Sequence, residues 1–172
     1  DWLSSMRVHL HNEIDYRREA RYTEEVAALL HDMEAPLVDY YVAELYPQYC
    51  TDTVLAMEFI EGVPVTDPSV SGLSQARRNA LGKGMLALFF CEVYRWGVLQ
   101  TDPNFGNYLL RLDDRRKREA RDDLVLLDFG SVLDCPEDFL LHMRNTIAAG
   151  QQQDRQGLVD GLIGLGCLKR DA

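Results

Sequence analysis

Two short segments limit the folds open to this chain more than any other feature: residues 100–107, QTDPNFGN, and residues 124–130, LVLLDFG. In the second, an unbroken apolar run of strand length ends in Asp128, an aromatic residue and a glycine. A buried strand therefore delivers a carboxylate to a turn that can aim it back into a cleft. In the first, Asp102 and Asn107 stand five residues apart in a loop that follows an apolar helical stretch and Gly97. The two segments together offer two carboxylates and an amide oxygen. Magnesium needs few protein ligands of this hard-oxygen kind, because phosphates and water complete its octahedron. The pair reads as a metal-nucleotide site in which Asp102 faces a substrate hydroxyl while Asn107 and Asp128 hold the ion.

Composition narrows what surrounds such a site. With 172 residues, 47% of them apolar, the chain is one domain or a large part of one, with enough apolar surface for a core. Its formal charge of -10, from 28 acidic against 18 basic residues, argues against a grip on nucleic acid or nonspecific adhesion to anionic lipid. Cys50, Cys91, Cys135 and Cys167 form no CxxC pair, which excludes a zinc knuckle or thioredoxin motif and leaves reduced, buried thiols as the expectation. The four histidines show no metal-ligand spacing. The apolar run at residues 85–91 is far short of the roughly 20 residues that cross a bilayer. The opening residues have neither the apolar core of a signal peptide nor the acid-poor composition of a transit peptide, and they read as the interior of a longer protein.

Pattern along the chain predicts an α+β fold. Residues 2–33 are rich in helix formers and contain no proline or glycine, so they read as one long helix closed off by Pro36. Residues 37–46 and 53–60 carry the β-branched and aromatic residues of an antiparallel hairpin, with its turn over 47–52. Residues 61–66 form a non-regular connector containing Gly62, suited to a hinge. Ser71 or Ser74 can cap a buried helix running to about Trp96, where Gly97 supplies a left-handed end. Residues 108–112 and 124–127 are short strands joined by DDRRKREARDD, read as a solvated hairpin loop without a binding role. Pro136 opens a further helix to Ala149, and Asp154 opens a last one through Leu158, Leu162 and Leu165. Gly82 with Gly84, and Gly157 with Gly161, fall inside helices, where close packing explains them better than a dinucleotide fingerprint or a membrane dimer motif.

Four segments, in order, resemble the UbiB (AarF) family of atypical kinase-like proteins: NEIDYRREA, VLAMEFIEGVP, QTDPNFGNYLL and LVLLDFGSV. The QTDPN form is nearer to the coenzyme Q biosynthesis-related branch than to the branch reading HADxHPGN. The resemblance implies a partial protein-kinase-like fold. Residues 1–60 would be the end of the N-terminal lobe, 61–66 the hinge, and 67–172 the mostly helical start of the C-terminal lobe. It implies ATP and Mg2+ as cofactors, Asp102 as the catalytic-loop acid, and Asn107 and Asp128 as the metal ligands. Glu19 resembles the helix glutamate that pairs with a nucleotide-binding lysine. Glu13 and Asp15 match the family's acidic motif, which faces the nucleotide pocket.

The departures from kinase chemistry restrict the function. Lys83, Lys117 and Lys169, the only lysines, all follow Glu19, and no glycine-rich or alanine-rich phosphate loop is present. This chain by itself is therefore expected to bind ATP poorly and to be inactive, as a piece of a longer protein. Gln100 and Thr101 stand where protein kinases carry the His and Arg of HRD, and Asn104 where they carry the loop lysine. Loss of that cation removes charge stabilisation from the transferring phosphate, which argues against efficient protein phosphorylation. Pro136 opens a helix soon after Gly130, leaving no room for a long activation segment.

The resemblance thus implies a magnesium-dependent ATPase or phosphotransferase supporting ubiquinone or isoprenoid-lipid metabolism. The alternatives are a nucleotide-gated pseudokinase that binds a lipid or protein, and a small-molecule phosphotransferase. Expected partners are ATP and isoprenoid lipids or quinone-biosynthesis proteins, with peripheral membrane association and no nucleic acid. The arginine-rich, lysine-poor composition suggests the bacterial cytoplasm at the inner-membrane face; a mitochondrial homologue would face the matrix.

Overall fold

Helix α1 (Tyr16–His31) begins where a carboxylate supplies an acceptor for an otherwise unpaired backbone donor: Asp15 stands at the N-cap and takes the Arg18 N–H at 3.1 Å. The computed structural model describes residues 15–34, 37–102, 104–113 and 121–169. The helix expected over residues 2–33 therefore starts, as far as it is described, after Asp15, whose backbone is not helical. Adjacent Tyr22 and Thr23, with Val26 one turn on, form its buried stripe.

The described residues divide into two compact units. The first draws on residues before 88 and on 100–132, the second on 88–99 and on residues from 133 onward. A four-stranded sheet organises the first unit. Its strands are β1 (Asp39–Val42), β2 (Val63–Pro64), β4 (Tyr108–Arg111) and β5 (Asp123–Leu126), in the order β1-β5-β4-β2. β5 runs antiparallel to β4, with Tyr108 opposite Leu126, and parallel to β1, with Asp39 opposite Asp123. Flanked on both edges, β5 carries the apolar run of the sequence, and Leu124 and Val125 are wholly shielded from water. One cluster joins Leu124 and Leu110 to Val38 and Leu81; another joins Val125 to Ala43 and Ile60.

The expected hairpin forms in part. Leu45 pairs antiparallel with Met57, and Tyr46 and Ala56 share a 2.9 Å bond from N–H to carbonyl. A single 3-10 turn, Pro47–Tyr49, begins the reversal. Residues 53–60 do not become a regular strand, and the ladder partner of β1 is β5. The connector at 61–66 is also more regular than expected, since Val63 pairs with Leu110. Of the charged run, residues 114–120 lie outside the described residues, and its far end is not solvated. Asp122 is buried, accepts from Arg77 Nε at 2.9 Å and from the Asp113 N–H at 3.0 Å, and forms an ion pair with Arg77.

A short helix, α2 (Pro68–Ser71), precedes α3 (Gln75–Cys91), the helix anticipated from Ser74 onward; contrary to expectation only Leu81, Gly84 and Leu88 of it are buried, while Leu86, Phe89 and Phe90 are exposed. Its continuation, Glu92–Trp96, widens into a π-type turn, closed by Gly97 with φ 71° and an N–H donated to the Glu92 carbonyl at 2.9 Å. In the second unit, α4 (Glu137–Gln151) and α5 (Arg155–Gly164) pack against each other. Strand β3 (Val98–Gln100) pairs with β6 (Val132–Asp134). A Cβ on Gly161 would lie 2.1 Å from Thr146 Oγ1, so close packing is indeed what the GxxxG serves. Among the described residues no helix is long and apolar enough to cross a membrane.

The two glycines of α3 separate on the same criterion. A Cβ on buried Gly84 would meet Val38 Cγ2 at 2.5 Å, whereas one on exposed Gly82 meets nothing within 4 Å. Gly84→Ala is expected to cost about 1–3 kcal/mol by overpacking. Gly82→Ala should gain roughly 0.5–1 kcal/mol from helix propensity. Urea unfolding midpoints compare them, and equal shifts would contradict the packing described.

Candidate active site

The register of β4 and β5 decides where the two acid-bearing loops meet. Residues 100–107 lead into β4 and residues 127–130 leave β5, so an antiparallel pair puts both at the same end. The Leu127 N–H donates to the Asn107 carbonyl at 3.0 Å and extends the ladder into the loops. Asn104 caps the 3-10 turn Phe105–Asn107, its Oδ1 accepting the Gly106 N–H at 2.9 Å. That turn returns Asn107 to Asp102: Asn107 Nδ2 donates to Asp102 Oδ2 at 3.1 Å, which leaves the amide oxygen outside this bond. The five-residue spacing seen in the sequence is thus a closed loop with a carboxylate and an amide side by side.

Asp128 is fixed by its own turn. Its Oδ1 accepts the Gly130 N–H at 2.8 Å, and buried Phe129 anchors the segment below. A Cβ on Gly130 would lie 3.3 Å from that oxygen and 3.8 Å from Glu19 Oε2, so only a hydrogen keeps this approach unobstructed. Asp128, Asp102 and Glu19 line one cavity of about 490 Å³. Gly130 and Ser131 complete its polar wall, and Tyr16, Leu55 and Met57 supply the less polar side. A volume in this range accommodates a small-molecule ligand.

Burial pushes the Glu19 carboxyl above its usual range, and the neighbouring Asp128 charge adds to the effect, while a hydrogen bond from the Phe129 backbone opposes it. Two carboxylates held close in a half-buried cavity favour the arrival of a cation. Among the described residues no three of His, Cys, Asp and Glu gather as a metal cage. The oxygen set at hand is instead Asp102, Asp128 and the Asn107 amide, the sparse, hard set that suits magnesium bound with phosphates.

Of the residues singled out by sequence, Glu19, Asp102, Asn107 and Asp128 come together. Asp15 is engaged as the α1 cap and is not among the residues lining the cavity. Glu13 lies outside the described residues. Sequence reasoning missed the bonds that hold the Asp128 loop. Gln100 Nε2 donates to the Asp128 carbonyl at 2.7 Å, and Thr101 donates to the Ser131 carbonyl through N at 3.2 Å and Oγ1 at 2.6 Å. Arg18 bonds to the Gly130 and Val132 carbonyls. The available signals were Gln100 and Thr101 in place of HRD's His and Arg, and an arginine directly before Glu19.

Comparison with known proteins extends these observations. Residues 1–161 match the family model described as the ABC1 atypical kinase-like domain. The mitochondrial atypical kinase COQ8 of Saccharomyces cerevisiae is 31% identical over 96% of this chain and 30% of its own length. The mitochondrial atypical kinase COQ8B of Rattus norvegicus is 33% identical over 89% of this chain and 26% of its own. The probable serine/threonine-protein kinase abkA of Dictyostelium discoideum is 26% identical over 98% and 30%, respectively. The chain thus spans less than a third of the length of these relatives. A solved structure of Rv3197 from Mycobacterium tuberculosis, in complex with erythromycin, covers 93% of this chain and 37% of that one. Its TM-score of 0.67 at 24% identity establishes a likeness of fold.

The carboxylate pair makes stability depend on pH in a stated direction. Because the folded chain holds Glu19 above its ordinary value of 4.5, this contribution is fully present below that value and is lost as pH rises through the folded one. In chelator-treated protein at pH 7, Glu19→Gln should therefore melt at a higher temperature than the parent, and the gap should close near pH 4. A variant that melts lower at pH 7 would contradict a Glu19 carboxylate destabilised by burial and by the Asp128 charge.

Proposed function

This chain belongs to the ABC1 family of atypical kinase-like domains, and on that premise we propose that the protein carrying it is an ATP-binding, magnesium-dependent ATPase or phosphotransferase. The observation that carries this reading is the meeting of Glu19, Asp102 and Asp128 at one cavity, with Asn107 bonded to Asp102. Asn107 and Asp128 would hold the magnesium ion of a bound nucleotide, and that ion would neutralise charge on the transferring phosphate. Asp102, oriented by the Asn107 amide, would accept the proton of an attacking water or hydroxyl. Glu19 would face a cationic partner from outside this chain. The QTDPN form supports assignment to the coenzyme Q-related branch, with ubiquinone or isoprenoid-lipid metabolism as the setting and peripheral membrane contact. On the same reading residues 61–66 act as the hinge.

One observation favours a second reading, a nucleotide-gated binding module without turnover. Asn104, where protein kinases place a lysine, spends its side chain on capping the local turn and brings no positive charge to the phosphates.

In the full-length protein, Asp128→Asn is expected to abolish magnesium-dependent ATP hydrolysis. Asp102→Asn should retain nucleotide binding and lower turnover by about 10²- to 10⁴-fold. Steady-state ADP release with equilibrium nucleotide binding checks both. Undiminished hydrolysis by Asp128→Asn would refute the metal assignment, and parent protein that binds nucleotide without releasing ADP would select the second reading.

A further inference from the structure

We propose that Arg18 is a positioning residue that locks the metal loop, residues 128–132, to helix α1. This rests on the proposed reading of Asp128, but the bonds themselves do not. The guanidinium donates through Nη1 to the Gly130 carbonyl and through Nη2 to the Val132 carbonyl, bridging the two residues on either side of Ser131. A planar fork makes such a two-point bridge, and a lysine ammonium, acting as a point charge, does not reproduce it. The ring of buried Tyr22, one helical turn on, has its centroid 4.8 Å from Arg18 Cζ, close enough for a cation–π contact.

The other bonds of the loop show why this bridge matters. Gln100 takes the Asp128 carbonyl, Thr101 takes that of Ser131, and the Phe129 carbonyl accepts the Val132 N–H at 3.2 Å. With the two that Arg18 holds, every backbone carbonyl from Asp128 to Val132 has a donor. The loop cannot swing without breaking several of these bonds together. Gln100 and Thr101 hold it from the side of the catalytic loop, whereas Arg18 holds it from α1, directly beside Glu19. A shift of α1 therefore moves Glu19 and the Asp128 loop as one body. Placement errors of about 1 Å at a reacting centre are costly, so such a coupling keeps the carboxylates in register.

The test compares full-length parent protein with Arg18→Lys, which keeps the charge and stem but loses the fork, and with Arg21→Gln. The latter removes the other cation 4.8 Å from the Tyr22 ring while leaving the loop bonds in place. Amide hydrogen exchange at Phe129, Gly130 and Val132 reports loop opening, and the magnesium concentration for half-maximal ATP binding reports Asp128 placement. Arg18→Lys is expected to speed exchange in the loop, but not in β4 or β5, and to raise the magnesium requirement by about 10- to 100-fold, the range for lost support of a metal ligand. Arg21→Gln should match the parent in both. Loop exchange in Arg18→Lys equal to the parent's, or equal changes in both variants, would overturn the proposal. If the parent itself shows no magnesium-dependent nucleotide binding, the functional reading fails and the exchange comparison still decides the clamp.

Discussion

Leu110, Leu124 and Val125 exclude water almost entirely, and the antiparallel ladder they build holds β4 against β5 in one register. Everything at the candidate site follows from that constraint. The Asp102 loop enters β4 at Asn107 and the Asp128 loop leaves β5 at Leu127, so the ladder brings two sequence-distant acids to one end. A slip of one residue would turn every core side chain of β5 to the opposite face and carry Asp128 away from Asp102. The burial that stabilises the sheet is thus also what enforces the geometry of the site. Buried Asp122, paired with Arg77 at the other end of β5, reinforces the same register.

The site itself is electrostatically unfinished. Glu19 and Asp128 share a half-buried cavity, and the like charge of Asp128 adds to the burial that already opposes ionisation of Glu19. Protein kinases meet comparable charge with a lysine, with metal and with the cations of the catalytic loop. Here the positions of HRD's His and Arg serve instead as hydrogen-bond donors to the Asp128 loop, through Gln100 and Thr101. The exchange gives up a positive charge and gains fixed backbone. Helix α4 starts early, at Glu137, close behind β6.

Much of this arrangement was legible in the sequence wherever local chemistry decided the outcome. The left-handed Gly97 and the helix starts at Asp154 and Pro136 each stand where expected, and the apolar run forms β5 one residue earlier than expected, at Asp123–Leu126. Asp102, Asn107 and Asp128 were legible because spacing and residue type together define a small oxygen set. Long-range choices were not. The parallel pairing of β1 with β5 joins segments about 80 residues apart, and no local pattern distinguishes β5 from residues 53–60 as the partner of β1. The burial of Asp122 was concealed within a charged run, where its partner Arg77, 45 residues away, could not be seen. The role of Asp15 as a cap is a matter of where the helix starts, and helix-forming residues on both sides obscured that start. Gly82 and Gly84 look alike in sequence, and only Val38 tells them apart.

The central claim is that a divalent cation on a nucleotide sits between the catalytic loop and the end of β5. Manganese bound with ATP, in place of magnesium, tests it directly, because its unpaired electrons broaden nearby amide resonances in isotope-labelled full-length protein. The account predicts broadening at Asp102, Asn107 and residues 128–130. Sharp signals at those five positions with manganese–ATP bound, or broadening centred on another part of the chain, would contradict it.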